Sequence, residues 1–319
     1  MSDELKVLTR RDFVRGTVAG ALAASLPAYA LQPKRGPRSS MVVLVRNQKA
    51  LGAGNSVDVA VLRQMVTDTV TRVTKASSGQ EAWRSLFKPT DIVGLVATPH
   101  LNPTHGELVE AIRAALVDAG IPAGNLRNAQ GGPDQAKACT GLIALPALKA
   151  HWLTGLGTVL KNYITYSGSP SSYHAQDNAK LGEIWNMPHV KGKTRLVLVD
   201  ALRPLCDKGP QPDPRYMWNY CGLIAGTDPV AVETICLKII EEKRRALRGE
   251  PWPLSPPPLC VAAADLTYNL GTSKLSEIKI ERFGWGFAGL TPQLCLFVGA
   301  PGFWRFCFKK CTATVRPIQ

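Results

Sequence analysis

Short apolar runs alternate with longer amphipathic stretches along most of this chain. Met41-Val42-Val43-Leu44-Val45 is a continuous apolar run of strand length. Val57, Val61, Met65, Val66, Val70 and Val73 then fall on one stripe at helical spacing. Asp91 to Ala97 predicts the next strand, and Leu108 to Ala119 an amphipathic helix. Thr104 and Glu107 ahead of that helix have the spacing of a capping box. Leu126 and its neighbours read as a further strand, and Gly131-Gly132-Pro133 as a break. Gly141 to Leu145 predicts a strand, followed by a helix-like stretch from Ala147 to Tyr163 and a loop-rich region over 166–193. Arg195 to Val199 reads as a strand ending at Asp200. Cys221 to Ala225 is another, running into Gly226-Thr227-Asp228-Pro229 and a long helix to about Leu247. There Asp228 has the position of an N-cap and Pro229 that of the first helical residue. A proline-rich stretch, Pro251 to Pro258, leads to a last helix and a strand over Glu277 to Arg282. This alternation predicts an α/β fold, a mostly parallel sheet with helices on both faces.

The first thirty residues have a different pattern. Arg10-Arg11-Asp12-Phe13-Val14-Arg15 is followed by an uncharged stretch rich in Ala and Gly, Thr17 to Leu26, and then by Ala28-Tyr29-Ala30. A cationic region, an apolar region and an A-x-A site make a secretory signal. The adjacent Arg10 and Arg11 select the twin-arginine translocase, which carries folded cargo. Export to the periplasm is the expectation, with Ala28 and Ala30 at the cleavage site. The alternative, an uncleaved anchor, suffers because a span needs about 20 strongly apolar residues. No later segment is long and apolar enough to span. Residues 31–40 read as a linker, leaving an α/β domain over 41–285 and an atypical apolar and basic tail over 286–319.

The formal net charge of +14 changes this picture less than its size suggests. Seven Lys/Arg lie within residues 1–40 and four within 286–319, leaving 27 bases against 21 acids between them. Those bases are scattered apart from Lys243-Arg244-Arg245, which reads as a solvated helix face beside Glu241 and Glu242. Nucleic-acid binding is not expected. The eight cysteines contain no C-x-x-C pair, so a ferredoxin-type iron–sulfur motif is absent. Cys221 and Cys236 read as buried small hydrophobes. The others leave a metal site or a disulfide open. G-x-G-x-x-G, P-loop and G-x-S-x-G motifs are absent, which removes nucleotide binding and serine hydrolysis from the expectations.

Several blocks resemble the exported branch of the domain-of-unknown-function family 362. They are Glu81-Ala82-Trp83-Arg84-Ser85-Leu86-Phe87-Lys88-Pro89, Thr104-His105 with Glu107-Leu108-Val109-Glu110-Ala111, Leu148-Lys149-Ala150-His151, Leu160-Lys161-Asn162 and Tyr173-His174. Thr194-Arg195-Leu196 through Val199-Asp200-Ala201-Leu202-Arg203-Pro204-Leu205 is a further block, and the most specific runs from Trp218-Asn219-Tyr220 to Val232. The resemblance implies an α/β fold and leaves the chemistry unassigned. Some relatives add a ferredoxin-like domain, whose cysteines this chain lacks. Val96 and Thr98 stand where relatives tend to place a lysine and an asparagine, and the stretch between about Ala129 and Cys139 looks shortened. The tail looks foreign to the family. It reads equally as a membrane-touching or partner-docking extension and as frame-shifted translation.

Open α/β sheets bind ligands beyond the carboxyl ends of their strands. The polar residues at or just beyond the strand ends are Thr98, His100 and His105, then Lys149 and His151, then Asp200 and Arg203, then Thr227 and Asp228. These groups would converge on one edge and suit acid–base catalysis or a metal ion. Asp228, His105, Lys149, His151, Asp200 and Arg203 are the catalytic candidates. Lys161, Asn162, Tyr173, His174 and Thr227 are the candidates for holding an anionic substrate. Lys149, Lys161 and Asn162 are expected on one helix, and Asp200 with Arg203 as a local ion pair. Two functions fit these candidates: an exported enzyme or redox accessory protein holding a metal or anion, and a periplasmic binding or assembly module without turnover. A degenerate family member is a third.

Overall fold

A computed structural model describes residues 39–284. The signal residues Arg10, Arg11, Ala28 and Ala30, most of the linker and the tail lie outside the described residues.

The chain runs β1 (Ser40–Arg46), α1 (Val59–Thr74), α2 (Gly79–Leu86), β2 (Val93–Ala97), α3 (Gly106–Asp118), β3 (Leu126–Asn128), α4 (Pro133–Lys137), β4 (Gly141–Leu145), β5 (Ala147–His151) and β6 (Gly155–Leu156). It continues with α5 (Leu181–Trp185), β7 (Thr194–Leu205), β8 (Gly222–Gly226), α6 (Pro229–Arg248), α7 (Leu259–Leu266) and β9 (Ile278–Gly284). The sheet has the order β3-β2-β4-β7-β8-β1-β9, with β5 continuing beside the second half of β7 and β6 paired to β5. The pairings of β3 with β2, β2 with β4, β4 with β7, β5 with β7 and β1 with β9 are parallel. Only β8, within the main path, runs against its neighbours β7 and β1.

Successive residues of a strand point to opposite faces, and the core divides accordingly. Val43, Val45, Leu95, Ile143, Leu196, Leu198 and Leu223 pack with α1, α2 and α3 on one face. Val42, Leu44, Val96, Leu142, Val197, Val199 and Ile224 pack on the other with α6, α7 and the segment from Val159 to Val190. Burial on both faces explains why the strands are continuous apolar runs rather than alternating ones. Among the described residues no helix is long and apolar enough to cross a membrane.

Four expectations need correction. The stretch from Ala147 to Tyr163 is not a helix: it forms β5, a tight return and β6, followed by turns. Gly155 sits at a φ of 72°, and a Cβ there would collide with the Pro256 carbonyl. The capping box does not form. Thr104 Oγ1 instead donates to the Leu145 carbonyl at 2.6 Å and accepts from Thr98 N, and His105 takes the N-cap position. The strand expected to end at Asp200 runs on to Leu205, so Asp200 lies mid-strand and Arg203 lies within it too. Lastly, Arg244 is not on a solvated face. It is 2% exposed, and its guanidinium donates to the carbonyls of Cys206, Trp252 and Pro253 and to Asp207, with Trp252 stacked 3.8 Å from its carbon. The stretch around Pro251 to Pro258 therefore folds back onto α6.

Candidate functional site

The sheet path decides which candidates meet. Because β8 is reversed, Thr227 and Asp228 leave the sheet at the edge opposite the carboxyl ends of β2, β4 and β7. The N-terminal end of β1 lies at the same edge, and Ser40 Oγ donates to Asp228 Oδ2 at 2.5 Å. Thr272 N donates to the same oxygen, and Oδ1 accepts from Val230 N and Ala231 N at 2.9 Å. Asp228 is a cap whose oxygens are all engaged, as its position before Pro229 predicts, and it does not join the other candidates. Asp228→Ala is expected to cost about 1–2 kcal/mol by urea unfolding and to leave ligand affinity at the other edge unchanged. A tenfold loss of affinity would refute that separation.

At the carboxyl ends, the loop after β2 and the segment after β4 enclose a cavity of about 180 Å³. Val96 to Leu101, Gln130, Lys149, His151, Thr158, Lys161, Asn162 and Thr165 contribute to its wall. Lys149 comes from β5, while Lys161 and Asn162 come from the turns after β6, so three expected helix residues converge without a helix. Lys149 Nζ donates to the carbonyls of Leu101 at 2.5 Å and Asn102 at 3.1 Å, with His100 at 3.5 Å. Leu101 and Asn102 both have left-handed backbone, φ 53° and 64°. The lysine thus spends its hydrogens holding a strained loop whose carbonyls turn inward. Burial, reinforced by repulsion from Lys161, lowers its amine to about 8.

Lys161 differs. No hydrogen bond or ion pair joins its side-chain amine to another described residue, and burial alone lowers that amine to about 8. Asn162 Nδ2 donates to the Val96 carbonyl at 2.8 Å, which ties the turn to β2. Beneath them lies Glu233, a residue that sequence reasoning missed. It is fully buried on α6, accepts from Val159 N at 2.8 Å and Leu160 N at 3.3 Å, and is raised to about 7 by that burial. A carboxylate on the apolar stripe of Val230, Ile235 and Cys236 was the signal that could have found it. Glu233 fixes the backbone that presents Lys161.

His151 Nδ1 accepts from Leu153 N at 3.1 Å, so the neutral ring carries its hydrogen on Nε2. Burial, then the positive charge of Lys161, His174 and Lys149, lowers it to about 3, so it stays neutral. His174 stacks on it, ring centroids 5.7 Å apart. Tyr173 packs into the core instead.

Beside the cavity, Asp200 Oδ2 accepts from His105 N and Nδ1, both at 2.7 Å, and Oδ1 accepts from Leu202 N. Asp200 therefore pairs with His105 rather than with Arg203. Burial opposes the charged imidazole, but the hydrogen bond and charge of Asp200 outweigh it and His105 is raised overall. Thr98 Oγ1 accepts from Ala147 N, which closes the loop against β5. Among the described residues no group of three or more His, Cys, Asp and Glu side chains could hold a metal ion. Cys139, Cys206, Cys221, Cys236 and Cys260 are buried and free.

This edge, from Val96 through α6, coincides with a recognisable segment. Residues 96–238 match the family described as Domain of unknown function (DUF362). The DUF362 match begins on the cavity-lining end of β2 and ends within α6, after Glu233, so it contains Lys149, His151, Lys161, Asp200 and His105. No curated protein and no solved structure matches the chain.

Proposed function

We propose that this chain is an exported DUF362-type protein that binds a small anion in the cavity at the carboxyl ends of β2 and β4. The observation that carries this reading is Lys161: a largely buried amine, facing a cavity, with no acceptor among the described residues. A cation held this way is costly to bury and gains most from an anionic ligand. Lys149 adds positive charge without spare hydrogens, and His151 Nε2–H and Asn162 flank the same space. Export rests on Arg10, Arg11 and the A-x-A site. Delivery of the chain should stop when both arginines are changed to lysine, and normal delivery would remove that part of the reading.

Anion affinity should track the protonation of Lys161. It is full below about pH 8 and falls above it, by up to about tenfold per pH unit, as the ammonium is lost. Calorimetric titration with lactate and with sulfate, neither of which titrates near pH 8, measures this. Absence of binding by both anions at millimolar concentration, or binding unaffected by Lys161→Gln, would overturn the proposal.

A further inference from the structure

Building on that anion site, we infer that Lys161 is a nucleophile that forms an imine with a small 2-oxo acid, a molecule carrying a carbonyl beside its carboxylate.

The two lysines in the cavity wall have divided tasks. Lys149 is committed to the carbonyls of Leu101 and Asn102 and cannot leave them without releasing the loop. Its charge remains at the cavity wall. Lys161 has no such commitment. Its turn is fastened from below by Glu233 and from the side by Asn162, so the amine is held on a rigid base at the cavity wall. A lysine desolvated in a pocket is an arrangement that makes an amine nucleophilic at neutral pH. With its amine at about 8 rather than 10.5, about a tenth is unprotonated at pH 7, against roughly one part in three thousand for an ordinary lysine. Burial of an unpaired, readily deprotonated amine favours carbonyl chemistry.

The step balances without a further reactant. The Lys161 nitrogen lone pair attacks the carbonyl carbon, and the carbonyl oxygen takes a proton to give a carbinolamine. Loss of that oxygen as water forms the protonated C=N bond. Ammonium and ketone thus become iminium and water, with charge conserved. The substrate carboxylate meets the positive charge of Lys149 and the Nε2–H of His151. The volume of about 180 Å³ suits an acid of a few carbons.

The test uses the full chain, pyruvate as the 2-oxo acid and lactate as the carbonyl-free analogue. Borohydride added with pyruvate should leave an adduct of pyruvate plus two hydrogens less one water, at one equivalent, on the peptide that contains Lys161. Lactate should compete with it, and Lys161→Arg should abolish it while melting normally. If lactate binds and Lys161 stays unlabelled, the imine is overturned and the anion site stands. If neither lactate nor pyruvate binds, both fall. Labelling spread over surface lysines, with no preference for Lys161, also overturns the imine.

Discussion

Lys161→Met is expected to make the protein more stable while abolishing anion binding. The two effects share one cause. A lysine held at about 8 in the folded chain and 10.5 when unfolded costs stability whenever it must be charged. The full shift corresponds to roughly 3 kcal/mol, and the partly open head group reduces this to about 1–2 kcal/mol. Methionine keeps the stem's packing, removes the charge and relieves Lys149 as well. The same shift sets the sign of the pH dependence. The folded amine binds fewer protons than the unfolded one between about 8 and 10.5, so wild-type stability rises through that window. The gain from Lys161→Met is therefore full below about pH 8 and gone by about 10.5. Urea unfolding of both proteins at neutral and at alkaline pH measures it. A loss of stability at neutral pH would show that Lys161 is a structural residue.

Arg244→Ala should have the opposite effect, and a larger one: a loss of about 3–5 kcal/mol. Its guanidinium satisfies three carbonyls and the Asp207 carboxylate, at 2.6 to 3.0 Å, while 2% exposed. Removing it orphans those acceptors and detaches the Pro251–Pro258 stretch from α6. That stretch also braces Gly155 at the return between β5 and β6, so the variant should loosen the cavity from behind. Arg244→Lys recovers only part of the loss, because one ammonium cannot reach four acceptors in a plane. A drop in the urea midpoint worth under about 1 kcal/mol would contradict this account.

The strands were legible because doubly buried strands are unbroken apolar runs. Met41 to Val45, Gly141 to Leu145 and Cys221 to Ala225 all appear close to where the sequence puts them. The same property hid β5: Ala147 to His151 is apolar and short, and such a run does not distinguish strand from helix. Gly155 and Gly157 were the cue against a helix. Asp228 was read correctly as a cap, but it was expected at the same edge as the other candidates and lies at the opposite one, since a run of apolar residues carries no sign of strand direction. Lys149 and His151 were singled out by their position after a strand, and Lys161 and Asn162 with Lys149 by a shared helix that does not exist, yet all four line one cavity. Arg244 was misjudged because its neighbours Glu241, Glu242, Lys243 and Arg245 are those of an exposed face. Its partners, 8 and 38 residues away in the chain, are invisible to any local pattern.

The reversed β8 has one further consequence. In a uniformly parallel sheet, helix N-termini gather at the ligand edge and lend it a partial positive charge that no pH can remove. Here β8 sends the amino end of α6 to the far edge, where Asp228 occupies it. The amino end of α3 does lie at the ligand edge, but Asp200 takes it through His105. The positive charge at the cavity wall is left to the side-chain amines of Lys149 and Lys161. It is a field with an off switch, which alkalinity discharges.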